Sequence, residues 1–168
     1  MTKYFKIARW YALICCLQPL IMSKAFGQQM DLSKFDILIH DTLISKPDFI
    51  AHVNKMDSAR LKRLVFAPIT DGYKVIYYLN RRIYAKGEIK HKLENGVWTY
   101  WHEGGQKARE GKCSGGKREG IHTYWYPNGK LRGVGSFVND EYDGKWMMYK
   151  EDGTETTEQI YKKGKLVR

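Results

Sequence analysis

The apolar positions of this chain follow two rhythms. Between Asp31 and Asp71, Phe35, Ile37 and Ile39 alternate with Asp36, Leu38 and His40, which predicts a short strand, and Leu43 and Ile44 extend a hairpin past Asp41-Thr42. "SKPD" then reads as a helix start, with Ser45 as cap, Asp48 three residues on and Pro47 in the first turn. Phe49, Val53 and Met56 follow at helical spacing. "LKRLVF", residues 61–66, predicts a strand stopped by Pro68, and Asp71-Gly72 turns the chain into "YKVIYYL".

From Gly96 the rhythm is a repeat of 24 residues, running without gaps over 96–119, 120–143 and 144–168. Gly96, Gly120 and Gly144 coincide, as do Gly105, Gly129 and Gly153. Trp98 and Trp146 share a column in which His122 takes the middle place; Trp101, Trp125 and Tyr149 share another, and Cys113, Phe137 and Tyr161 a third. One period upstream, residues 72–95 keep Gly72, Tyr77, Gly87 and Ile89 in register but carry Arg81 where the mid-unit glycine belongs, so they read as a degenerate fourth copy. Aromatic and β-branched runs on either side of "PNG" and "EDG" predict one β-hairpin per unit. Trp98 and Trp101 stand three apart, which on a regular strand sends them to opposite faces, so either both faces are covered or the strand is strongly twisted.

The expected fold is therefore mainly β, an elongated single-sheet array of tandem hairpins over 72–168 behind a small α/β cap at 28–71. A single unit cannot bury its own rings, so neighbouring units must cover one another. This succession of glycines and aromatics resembles the bacterial MORN-repeat-variant family. The resemblance covers about 72–168 and implies tandem β-hairpins and, for many members, classification as antitoxins of toxin–antitoxin systems. His122, Arg81 and Asp140 depart from the pattern, Asp140 standing where a later glycine is usual.

Residues 1–27 stand apart from the fold. Lys3, Lys6 and Arg9 precede an apolar run of about a dozen residues, the length of a signal-peptide core and short of the roughly 20 needed to span a bilayer. Ala25-Phe26-Gly27 places small residues for cleavage between Gly27 and Gln28, so the expected protein is exported to the periplasm or beyond, with no transmembrane segment after cleavage. Cleavage leaves Cys113 as the single cysteine, so no intrachain disulfide can form.

Of the 29 basic residues four go with that segment; residues 31–71 hold six of each sign, so the excess positive charge lies entirely from Gly72 onward. It is interspersed with Glu94, Glu103, Glu110 and Glu119, the pattern of a solvated surface. The five histidines fall at no metal-ligand spacing, no nucleophile elbow or phosphate loop occurs, and the glycines sit at hairpin turns. A non-enzymatic protein without cofactor or metal is expected, with Cys113 filling a strand and not acting as a thiol.

The rings recur once per unit, which packing demands, so base stacking on nucleic acid is set aside. The leading expectation is an exported scaffold that binds a protein or an envelope component, with Lys130, Arg132 and Lys150 as candidate contacts between hairpins. Neutralisation of a partner toxin and electrostatic attachment to anionic lipid or lipopolysaccharide are the alternatives.

Overall fold

A computed structural model describes residues 31–61 and 63–167, so the expected signal segment and its cleavage site lie outside the described residues. The chain is mainly β and divides into two compact units at Ile69/Thr70, near the boundary expected at residue 72. No described helix is long and apolar enough to cross a membrane.

In the first unit β1 (Phe35–Ile39) pairs with β2 (Thr42–Ile44) on one side and with β3 (Leu64–Pro68) on the other, both antiparallel. The hairpin turns one residue earlier than expected, at His40-Asp41, because both residues take positive φ and free Thr42 to pair with Ile39. Ser45 caps α1 (Lys46–His52) by accepting from the Asp48 N–H, as the helix-start reading predicts. Val53 falls beyond the helix in a 3-10 turn, and Leu61 ends a short α2 (Ser58–Leu61) instead of opening a strand. Pro68 is the last residue of β3, the edge strand beside β1, where a proline is tolerated, so it ends the strand instead of standing beyond it. Ile37, Ile44 and Phe49 form the core here, with Phe66 edge-on to Phe49 at 6.0 Å.

The second unit is a meander of β4 (Gly72–Tyr77), β5 (Ile83–Lys90), β6 (Leu93–Trp101), β7 (Lys107–Ser114), β8 (Lys117–Trp125), β9 (Leu131–Val138), β10 (Glu141–Tyr149), β11 (Glu155–Lys162) and β12 (Lys165–Leu166), neighbours in sequence being neighbours in the sheet. Two turn types alternate. The mid-unit turns at 78–82, 102–106, 126–130 and 150–154 each close with the same two backbone hydrogen bonds. The turns between units, His91-Lys92, Gly115-Gly116, Asn139-Asp140 and Lys163-Gly164, are two-residue loops with positive φ at both places, the geometry whose twist matches that of the strands.

The degenerate copy is thus a complete hairpin. Arg81 adopts φ +69°, standing in for Gly105, Gly129 and Gly153, a conformation that presses a Cβ against the following carbonyl. Its side chain is exposed, so Arg81→Gly is expected to raise unfolding stability by about 1 kcal/mol. Urea titration followed by tryptophan fluorescence measures it; an unchanged or lower midpoint would show that this turn stores no strain.

Each unit also bends at its first glycine. β6, β8 and β10 carry extra residues against the preceding strand, at Gly96-Val97, Gly120-Ile121 and Gly144-Lys145, with glycine φ of +71°, +67° and +69°. Toward the following strand pairing is regular, Gly96 with Cys113, Gly120 with Phe137 and Gly144 with Tyr161.

Trp98 and Tyr100 then occupy one face, and Val97, Thr99 and Trp101 the other. The Trp98 face buries a ladder of Trp98, Cys113, His122, Phe137 and Trp146. The opposite face is lightly covered: Tyr73, Val97 and Ile121 are 65%, 63% and 69% exposed, and Trp101 and Trp125 are half-buried beneath Lys86 and Lys107.

Candidate functional site

The buried ladder is built on three strand glycines. The Trp98 indole lies directly on Gly87, the His122 imidazole on Gly111 and the Trp146 indole on Gly135, each so close that a Cβ on the glycine would collide with the ring. The ring nitrogen then reaches the carbonyl of the residue after the glycine. Trp98 Nε1 donates to Glu88 O at 3.0 Å and Trp146 Nε1 to Ser136 O at 3.0 Å, while His122 Nε2 donates to Lys112 O at 2.8 Å. Histidine in a tryptophan column is therefore an imidazole performing the indole's single hydrogen bond.

The substitution leaves a trace. His122 Nδ1 is buried without a hydrogen-bond partner, and burial, the largest influence, holds the imidazole below its ordinary value, with Arg109 and Arg118 acting in the same direction. The folded protein binds this proton less readily than the unfolded chain, so the contribution is complete above the usual histidine value of about 6.5 and is lost as pH falls below it. The unfolding midpoint is expected to drop between pH 7 and 5, and the drop to shrink in His122→Trp. Equal pH slopes for the two proteins would exclude His122 as the source.

A second ladder runs beside the mid-unit turns. Tyr78 Oη donates to Trp101 O at 2.7 Å, His102 Nε2 to Trp125 O at 2.9 Å and Tyr126 Oη to Tyr149 O at 2.9 Å, each reaching one unit ahead. Both ladders hold successive hairpins in fixed register.

Other polar groups are consumed internally. Cys113 is buried, its Sγ 3.5 Å from Glu94 Oε2, and burial, followed by the Glu94 charge, pushes the thiol up to about 12, which removes it as a nucleophile at neutral pH. Glu94 also accepts from Tyr100 Oη. Arg118 stacks over Phe137 at 3.9 Å and pairs through Nε with Asp140 Oδ1 at 2.7 Å; that hydrogen bond, with the Arg118 N–H, keeps the Asp140 carboxyl below its usual range. Asp140, at φ +72° in a glycine's place, earns that place through Arg118. Among the described residues no group of three or more His, Cys, Asp or Glu is placed to hold a metal ion.

The described residues also form an open groove of ≈ 320 Å³ on the ladder face. Its walls include Tyr84, Tyr100, Ala108, Arg109, Tyr124 and Arg132, and neither a lysine nor a carboxylate lines it. A register shift beside each mid-unit turn leaves Tyr84, Ala108 and Arg132 unopposed across the hairpin. These three are equivalent positions, so Ala108 is a gap between a tyrosine and an arginine. Arg109 lies 4.0 Å over the Tyr100 ring and Arg132 5.3 Å over Tyr124.

Of the three contacts expected from sequence, only Arg132 lines the groove. Lys130 Nζ donates to Asp152 O at 2.6 Å, tying one turn to the next, and Lys150 is exposed at the start of a turn. Arg109 and Ala108 were missed. Comparing position 108 with 84 and 132 would have found the gap. No protein-family model matches the chain, and no curated protein matches it.

Proposed function

We propose that this chain is an exported, non-enzymatic repeat scaffold that binds another protein through the ladder face of its hairpin array. The observation that carries the reading is the make-up of the groove: tyrosine rings and two arginines line it on the ladder face, and lysine and glutamate do not. That is the composition of the energetic centre of protein interfaces, where large rings and guanidinium groups dominate and lysine and acidic residues are depleted. The two hydrogen-bonded ladders hold these side chains on regular strands, which limits the ordering a partner must impose. Tandem hairpins with this spacing accord with the MORN-variant resemblance, and the basic, apolar start of the sequence supports export.

The test places a photo-reactive aromatic amino acid at position 84, in the wall of the groove, and, as a control, at position 150, with irradiation of intact cells. Protein adducts are expected from 84 and not from 150. Adducts confined to lipid or glycan, or equal trapping at both positions, would reject the groove as a protein-binding surface.

A further inference from the structure

We propose that the groove receives an extended, carboxylate-bearing segment of the partner protein, its acidic side chains gripped by Arg109 and Arg132; this rests on the protein-binding reading just given. Three arginines of the ladder face are stacked on rings, and they differ in one respect. Arg118 over Phe137 has Asp140 as an internal carboxylate. Arg109 over Tyr100 and Arg132 over Tyr124 have none among the described residues. Stacking covers one flat side of a guanidinium and leaves its N–H edge in the plane, the direction from which a carboxylate accepts two parallel hydrogen bonds. The fold therefore provides at Arg118 an example of the very pairing that the groove arginines lack.

Spacing and charge specify the segment further. Arg109 is on β7 and Arg132 on β9, two strands apart, a separation of about 10 Å. In an extended segment of polyproline-II geometry, with three residues per turn and a rise of about 3.1 Å each, acidic residues three apart share one face and span roughly 9 Å, enough to reach both guanidinium groups, and the gap at Ala108 admits an apolar or aromatic side chain. Residues 72–168 hold 19 basic against 12 acidic side chains, so the array attracts an acidic segment before contact. The absence of lysine from the walls favours bidentate, planar recognition over the diffuse attraction that suits lipid or nucleic-acid phosphates.

The probe is a fluorescein-labelled peptide of repeated Glu-Ala-Tyr triplets, compared with its Gln-Ala-Tyr counterpart by anisotropy against the purified protein. The glutamate peptide is expected to bind at least about tenfold more tightly, a preference that falls with salt. Arg132→Gln is expected to bring its affinity down to that of the glutamine peptide. Ala108→Tyr gives the groove the residue already present at position 84, closes the gap and is expected to abolish binding of both peptides. Equal binding of the two peptides, or undiminished binding by Arg132→Gln, overturns the proposal. If position 84 still traps a protein in cells, that result leaves the protein-binding reading standing. Undiminished peptide binding by Ala108→Tyr with an unaltered melting temperature removes the groove itself. Displacement of the glutamate peptide by phosphatidylglycerol vesicles or single-stranded DNA at lower charge concentration than free glutamate peptide would overturn the choice of a protein partner.

Discussion

Gly135→Ala is expected to lower the stability of the repeat array by about 3–5 kcal/mol, as much as truncating a buried aromatic ring. The new methyl group would enter the space of the Trp146 indole, which rests on the glycine backbone. A buried ring cannot give way by a few tenths of an ångström without leaving its rotamer. Moving it breaks the hydrogen bond from Nε1 to Ser136 O and exposes a side chain now 2% accessible. The effect is therefore overpacking together with the partial loss of a tryptophan. Gly135 has no positive φ, so backbone strain makes no contribution and the ring alone decides the outcome. A urea midpoint within 1 kcal/mol of the parent, on the scale set by the parent's own m-value, would mean that the indole has another place to go.

Phe137→Ala is expected to cost about 3–5 kcal/mol, against about 1 kcal/mol for Cys113→Ala in the equivalent column. Phe137 is 1% exposed and is enclosed by His122, Tyr142 and Trp146, with ring centroids at 5.2, 4.9 and 5.0 Å. Arg118 closes the remaining side at 3.9 Å. Removing the ring leaves four neighbours around a void and withdraws the surface that holds the Arg118–Asp140 pair. Cys113 is equally buried, but the atom lost on truncation is one sulfur facing Glu94. Chemical denaturation of the two variants side by side is the measurement, and equal losses would show that the column is not where adhesion between units is concentrated.

Much of this architecture could be read before any coordinates. Glycines at Gly96, Gly120 and Gly144 and the column of Cys113, Phe137 and Tyr161 gave the period, and the structure explains why they travel together, since each glycine pairs across the hairpin with the corresponding column residue. The helix start at Ser45 was legible because a cap, a proline and an acidic residue act within one turn. Alternation left Trp98 and Trp101 either on two covered faces or on a strongly twisted strand, and the pairing of β6 with β7 puts them on opposite faces.

Other features were hidden for identifiable reasons. His91-Lys92 forms a tight turn with neither glycine nor asparagine, so side-chain identity gave little signal of the left-handed backbone there. Gly87, Gly111 and Gly135 looked like strand glycines of no special kind; their purpose exists only when a ring from the adjacent strand is laid on them. The groove was the least visible. Plain alternation separates Ala108 from Arg109, and only the register shift next to Trp101 brings both to the same cavity. Arg132 was selected for its charge, whereas its position beside that gap is what distinguishes it from Lys130 and Lys150.

The side-chain bonds from Tyr78 to Trp101, from His102 to Trp125 and from Tyr126 to Tyr149 all look one step forward and never two. An in-frame duplication or excision of a whole module would consequently present each new junction with a donor and an acceptor it already knows. Lineages descending from such a gene can change its reach by recombination alone, with no compensating point mutation on either flank.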